Sequence, residues 1–502
     1  MHLFNRKNNT MTMKKQIILL VSLLVFSINY SLQAQKANSK KKSGYEIKIH
    51  IKNSPDSMMY LANYYGRNQY LKDSAKSDPK TPGLFVFKGE EPLLGGIYIL
   101  ASQAKVKTME FVIDQSQHFT FETDTADVLK RINVKGSTEN ELFFNYIKVL
   151  NHLQNELMRI NGEVKDAENE GKEGLVKIKK DLLTEKSKEL EEYTKGFIKD
   201  NPDAFFSKVL ALNLDIQIPP LPVREDGTVD STFAWRYYKE NFWMHTDLTD
   251  DRLLRTPVFH SKLQRYFSEV IVQDNDSIKH EAAKIIEKVR PNEEMFKYVI
   301  WFLTNYYETS KIMGHDEIFV FLVEEYYMTN QCFWIPPHTL ENLSRRALQL
   351  KSILIGAKAP ELIMYDTNNV FRSSHHIKAD YTILWFFDPD CGHCKVETPR
   401  LRDFYNENKE KLNLEVFAVS TDQDLERWKK YIRDQNLNWI NVGGNTANID
   451  FFKVYDLYST PVMFLLDKDK KILAKRISVA DLDNFFEQYE KVKENRKRMG
   501  MD

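Results

Sequence analysis

Only three of the 502 residues are cysteine, at positions 332, 391 and 394. That is too few for a fold held together by disulfides. With no second cysteine pair, a four-cysteine zinc site is excluded. An excess of one charge is also missing: 71 basic residues balance 71 acidic ones. No nucleic-acid-binding surface is expected from that balance. The basic run Lys40-Lys41-Lys42 is short and reads as solvated linker. No apolar run reaches the ~20 residues that a spanning helix needs.

The longest such run, Ile17 to Ile28, follows Lys14-Lys15 and precedes Ser31-Leu32-Gln33-Ala34-Gln35. A basic start, a short apolar centre and a small-residue exit make residues 1–34 a signal peptide, with cleavage expected after Ala34. Met1, Met11 and Met13 all fit as the start. No cysteine follows the apolar run, so no lipoprotein anchor is expected, and membrane contact would come only from an uncleaved signal. The expected location is the periplasm, where cytosolic thiol reductants are absent.

What is present changes character along the chain. Residues 35–44 are a polar linker, and residues 45–135 read as a small antiparallel β-sandwich. Tyr45, Ile47, Ile49 and Ile51 alternate with polar residues, the period of a half-buried strand. Further strands are expected at 58–63, 84–88, 97–101, 107–113 and 118–122, separated by turn residues. Residues 136–350 read as a mostly α-helical domain. Thr138 with Glu141 suggests a capping box. Phe143, Ile147, Leu150, Leu153, Leu157 and Ile160 then recur at helical spacing. The charged stretch 163–195 reads as the second arm of a hairpin. Aromatic pairs such as Trp301-Phe302, Tyr306-Tyr307 and Tyr326-Tyr327 fit a core better than a groove. Asp247, Asp250 and Asp251 are expected to form a turn and helix cap rather than a cation site. His375-His376 are expected at the surface, and Cys332 as an inert packing residue.

Residues 351–502 form a third, α/β domain. Within it the apolar run Thr382 to Phe387 ends in Asp388-Pro389-Asp390, followed by Cys391-Gly392-His393-Cys394. A buried strand is expected first and a helix from Lys395 to Tyr405 after it. A thiol at the start of a helix meets unpaired backbone N–H groups and the positive end of the dipole. Both favour thiolate, so Cys391 is the expected attacking thiol and Cys394, one turn on, the resolving thiol. His393 between them should favour the reduced form. No bound cofactor or metal is expected, only a redox-active Cys391–Cys394 disulfide.

These residues, with Pro399, Glu397, Ser459-Thr460-Pro461-Val462 and Gly356-Ala357-Lys358-Ala359-Pro360, resemble the TlpA/ResA-like thioredoxin-fold redoxins. The β and helical regions resemble those found ahead of such domains in exported Bacteroidetes proteins. The resemblance implies a C-terminal thioredoxin fold and thiol-disulfide oxidoreductase activity. It also implies a cis-proline loop at Thr460-Pro461 facing the dithiol. The family's buried acid, six residues before the first cysteine, is Trp385 here. Glu397, at the family's glutamate position, becomes the expected proton acceptor for Cys394. Catalytic roles therefore fall to Cys391, Cys394, Glu397 and Pro461, and tuning roles to Gly392, His393, Thr460 and Trp385. The expected partners are protein thiol or disulfide clients and a redox partner protein. His393 leans toward oxidase or isomerase chemistry, and the resemblance toward reductase. Two alternatives stand beside this. One is a thiol peroxidase of the redoxin family, which would want a Thr ahead of Cys391 that Phe387-Asp388-Pro389-Asp390 lacks. The other is a binding or assembly protein with a vestigial redox domain.

Overall fold

The computed structural model describes residues 44–223, 226–444 and 446–498. The signal segment 1–34 and the linker up to residue 43 lie outside them. The chain divides between Gln264 and Arg265 into two compact units. The helical stretch is shared between them, its first part lying with the β-strands and its second with the α/β domain.

Among its described residues the first unit holds eight strands: β1 (Tyr45–Lys52), β2 (Met58–Tyr65), β3 (Asn68–Lys76), β4 (Leu84–Gly89), β5 (Gly96–Ala101), β6 (Lys107–Ile113), β7 (His118–Asp124) and β8 (Asn133–Lys135). They form two four-stranded sheets, ordered β4-β1-β7-β8 and β3-β2-β5-β6. The alternation in β1 buries Ile47, Ile49 and Ile51, as a strand with one face in a core requires. The core includes Phe111, whose ring meets Phe119 and Phe121 edge-on, with centroids 6.0 and 5.3 Å apart. One pair departs from the antiparallel expectation: β1 and β7 run parallel. Parallel neighbours need a crossover, and the chain supplies it by building other strands between them. Strands β3 and β8 escape sequence reading. Only Ala75 of β3 is buried, so this edge strand carries no apolar alternation to find.

The helix Thr138–Asn169 starts one residue earlier than its capping-box reading. Its cap is Ser137, whose Oγ accepts from the Asn140 backbone N–H at 3.3 Å. The Asn140 side chain, fully buried, exchanges two hydrogen bonds of 2.8 Å with the Val112 backbone. Cap and sheet docking therefore share one residue, which Glu141 could not supply. The helix Glu173–Asp200 forms the other arm and buries no residue fully. Its charges lie in solvent or pair across the hairpin, as in Lys179–Glu163 at 2.6 Å. Asp250 caps the turn Asp251–Arg255 and pairs with Arg252 and Lys208. No cluster of metal-ligating side chains occurs among the described residues.

In the second unit, the helices Asn275–Val289, Glu293–Glu308, Asp316–Leu322 and Pro337–Lys351 precede the α/β domain. Phe302, Tyr307, Tyr326 and Tyr327 are buried, as core aromatics; Trp301 is exposed. The remaining strands are β9 (Ile363–Tyr365), β10 (Phe371–Ser373), β11 (Tyr381–Phe387), β12 (Leu414–Ser420), β13 (Ile440–Val442), β14 (Val462–Leu466) and β15 (Ile472–Lys475). The main sheet has the order β13-β12-β11-β14-β15. β12 and β13 run parallel to their neighbours, and β14 and β15 antiparallel. Every residue of central β11 is buried, which explains its unbroken apolar run. The helices Gly392–Leu412 and Leu482–Arg498 meet in the core through stacked Phe404 and Phe486 rings, 6.1 Å apart. Among the described residues no helix is long and apolar enough to cross a membrane.

Candidate active site

The sequence places the dithiol where β11 leaves the core. Asp388 turns the chain: its backbone carbonyl accepts from the Cys391 N–H at 3.1 Å. Its Oδ1 accepts from the Asp390 N–H at 2.8 Å. The helix then begins at Gly392 rather than Lys395, with Cys391 as its N-cap. The first thiol thus stands at the mouth of the helix, where the orphan N–H groups lie. Pro399 lies inside this helix without ending it.

The two sulfurs occupy unlike surroundings. Cys391 is half-buried and Cys394 fully buried; neither is disulfide-bonded here. Cys391 Sγ donates to the Thr460 carbonyl at 3.2 Å. The following Thr460-Pro461 peptide is cis. Partial burial pushes the Cys391 thiol up. Hydrogen bonds from the Thr460 side chain, the backbone N–H groups of Cys394 and His393 and the Cys394 side chain outweigh it, and the thiol falls below its ordinary value. Burial pushes Cys394 up to about 12, against a hydrogen bond from the Asp388 backbone. That N–H donates to Cys394 Sγ at 3.5 Å. Tyr431 donates to the Cys394 carbonyl at 3.2 Å.

Beside the dithiol lies a cavity of about 340 Å³ lined in part by Trp385, His393, Glu397, Pro461, Met463 and Arg476. Four of the residues singled out from sequence therefore meet at one place. His393 is exposed at its rim. The Glu397 carboxylate accepts from Arg400 at 2.7 Å rather than from Cys394. The indole N–H of Trp385 is turned to Thr398 rather than to a thiol. Gly392 has open space where a Cβ would stand, so its role is not steric. His375 is not free at the surface: its Nε2 lies 2.7 Å from the Ala359 carbonyl. Cys332 is buried, and its thiol is pushed up to about 12 by burial.

Sequence reading missed Thr398, Tyr431 and Arg476. Only the first had a signal: a buried indole needs an acceptor, and Thr398 falls one turn after Cys394.

A half-exposed, activated thiol and a buried partner one turn along a helix, both facing a cis-proline loop, define a thioredoxin-type dithiol site. Comparison with known proteins agrees. Residues 379–472 match the thioredoxin-like family model, and residues 45–143 match a domain of unknown function (DUF4369). Thiol-disulfide oxidoreductase ResA of Bacillus thuringiensis is 27% identical over 122 residues, 24% of this chain and 67% of that one. A solved domain of a possible thiol-disulfide isomerase from Cytophaga hutchinsonii is 43% identical. The match spans 28% of this chain and 97% of that domain, with a TM-score of 0.27. A thioredoxin-like protein from Bacteroides caccae is 17% identical over 54% of this chain and 98% of that one, with a TM-score of 0.41. In its C-terminal domain the chain is a TlpA/ResA-like redoxin, with the thioredoxin-like fold of the thiol-disulfide oxidoreductases it resembles.

Proposed function

We propose that this oxidoreductase exchanges disulfides with protein clients in the periplasm through Cys391 and Cys394. The observation that carries the reading is the inequality of the two sulfurs. Cys391 is approachable and held below the ordinary thiol value, whereas Cys394 is buried and pushed up to about 12. In reduction, the Cys391 thiolate attacks one sulfur of a client disulfide, and the other client sulfur leaves as thiolate. Cys394 gives up its proton and attacks Cys391 Sγ. The second client thiolate departs, and the two electrons gained by the client are those lost in forming Cys391–Cys394. Oxidation of a client dithiol runs the same steps backwards, and the net direction follows the potential of the redox partner.

Glu397, on the cavity wall, is the proposed proton acceptor for Cys394, once its carboxylate leaves Arg400. Pro461 supplies no backbone N–H, so a client strand laid beside it is not drawn into pairing at the sulfurs. The periplasmic assignment rests on the signal pattern of residues 1–34 and is checked by the mature N-terminus, expected at Gln35.

The test of the exchange is trapping. A Cys394→Ala variant, expressed with its signal, should accumulate mixed disulfides through Cys391 that a reductant releases. A Cys391→Ser, Cys394→Ala variant should trap nothing. Absence of adducts on the single variant under both oxidising and reducing growth would sink the proposal.

A further inference from the structure

The loop that presents Thr460 to the dithiol begins at an unusual residue. Asp456 has a carboxylate almost wholly buried, 2% exposed, yet it meets two guanidinium groups. Arg476, just after β15, donates from Nη2 to both the carbonyl and Oδ2 of Asp456, each at 2.7 Å. Arg346, on the helix Pro337–Lys351, donates to Oδ1 and, at 3.0 Å, to Oδ2. Gln349, one turn further along that helix, reaches the same stretch through the Lys453 carbonyl. Both Asp456 and Arg476 have left-handed backbones, with φ of 56°. Such conformations in residues other than glycine persist only where the surroundings over-determine them.

Four residues beyond Asp456 the same loop brings Thr460 to Cys391: its carbonyl accepts from Sγ, and its side-chain hydrogen bond is the largest of the contacts that hold the thiol below its ordinary value. Arg476 also donates its backbone N–H to the Met463 carbonyl at 2.7 Å. It lines the cavity that holds His393, Glu397 and Pro461. The loop is thus pinned at its start by a charge cluster and beyond its end by the sheet. Arg346 extends the grip by lying over the Tyr458 ring, 5.6 Å from its centroid. Tyr458 is itself 78% exposed, two residues before Thr460.

We propose that Asp456 is a positioning residue for the dithiol, and that Arg346 on the preceding helix is the second half of the clamp that sets the Thr460-Pro461 loop against Cys391. The helical segment thereby acts on the reactivity of a thiol it does not touch. The inference rests on Cys391 being the attacking thiol, and deepens that reading by assigning the segment ahead of the domain a part in it.

The experiment uses the full chain. Arg346→Met keeps the apolar stem and removes the fork; Arg346→Lys restores the charge without bidentate geometry. Asp456→Asn serves as a second cut into the same clamp. Lys351→Ala is the control, since Lys351 lies on the same helix as Arg346 but pairs with Glu324 outside that helix and does not touch the loop. The readouts are the alkylation rate of reduced Cys391 at neutral pH and its thiolate titration. Arg346→Met should slow alkylation by roughly threefold to tenfold, with the titration midpoint moved up; a tenfold loss of thiolate corresponds to about one pKa unit. Arg346→Lys should recover part of that loss, and Lys351→Ala should leave the rate unchanged.

Two results would overturn the proposal: an Arg346→Met protein that unfolds like the parent and keeps the parental rate and midpoint, or an equal slowing in Lys351→Ala. If Asp456→Asn does not fold, the Arg346 pair decides alone. Alkylation needs no client, so its outcome is separate from the trapping result on which the exchange reading depends.

Discussion

The indole N–H of Trp385 donates to the hydroxyl of Thr398 at 3.3 Å, and both side chains are buried. One sits on β11 and the other on the active-site helix, so the bond ties the central strand to the helix that carries the sulfurs. It also shows why no acid is available at position 385: the site is filled by an aromatic ring with its one polar atom already spoken for. A proton leaving Cys394 must therefore find another acceptor.

Removing that bond exposes its worth. Thr398→Val keeps the shape and leaves the indole N–H without its acceptor. An unsatisfied buried donor costs about 1–3 kcal/mol. Urea unfolding of the variant should show a loss of that size, with Cys391 alkylation little changed. Unchanged stability would mean that the indole is satisfied elsewhere.

The thiols should titrate far apart. In the reduced native protein, iodoacetamide near neutral pH should label one cysteine, Cys391, with an inflection below the ordinary thiol value. Cys394 and Cys332, both pushed up to about 12 by burial, should stay unlabelled until the chain is unfolded. The sign follows from the direction of each shift: the lowered thiol carries more thiolate at neutral pH than an ordinary one, and the raised ones carry less. Peptide mapping that found Cys394 labelled first would reverse the assignment.

Glu397→Gln separates the two steps of exchange. If its carboxylate takes the Cys394 proton, release of a preformed mixed disulfide should slow by on the order of a hundredfold. Alkylation of Cys391 should not. Rapid-quench measurement of the release step decides the matter, and an unchanged rate removes Glu397 from the proton path.

The join between the helices and the sheet rests on a buried cation. Lys475, 7% exposed on its side chain, pairs with Asp316 and donates to the Ile353 carbonyl at 2.8 Å. Burial lowers its pKa, and Asp316 opposes that shift. Asp316→Ala strands the charge and should destabilise the second unit by ~3–5 kcal/mol, whereas replacing both partners with apolar residues should cost much less. Denaturant titration of the three proteins tests both statements.

Much of this molecule is legible in the residues themselves. The alternation in β1, the unbroken apolar β11 and the spacing of Cys391, Cys394 and Pro461 each follow from local pattern. What stays hidden depends on distance. β3 is a polar edge strand whose pairing with β2 leaves no periodic trace. Asn140 donates to the capping Ser137 and docks the helix on β6, so the helix begins where tertiary contact, not capping chemistry alone, places it. Arg346 and Asp456 are 110 residues apart, and no spacing rule joins them. Glu397 was readable as a cavity residue only through family resemblance, and its hold on Arg400 is a rotamer choice that sequence leaves open.

Burial of Cys332 bears on how the protein fails. Under the proposed exchange, a client held on Cys391 would have one way off within the chain, through Cys394, because the third sulfur is packed away and its thiol pushed up by burial. There is no internal spare to break a stalled adduct. Each encounter is then a race between resolution and the arrival of an outside thiol, and losing Cys394 turns a turnover catalyst into a one-shot sponge that its own clients would saturate.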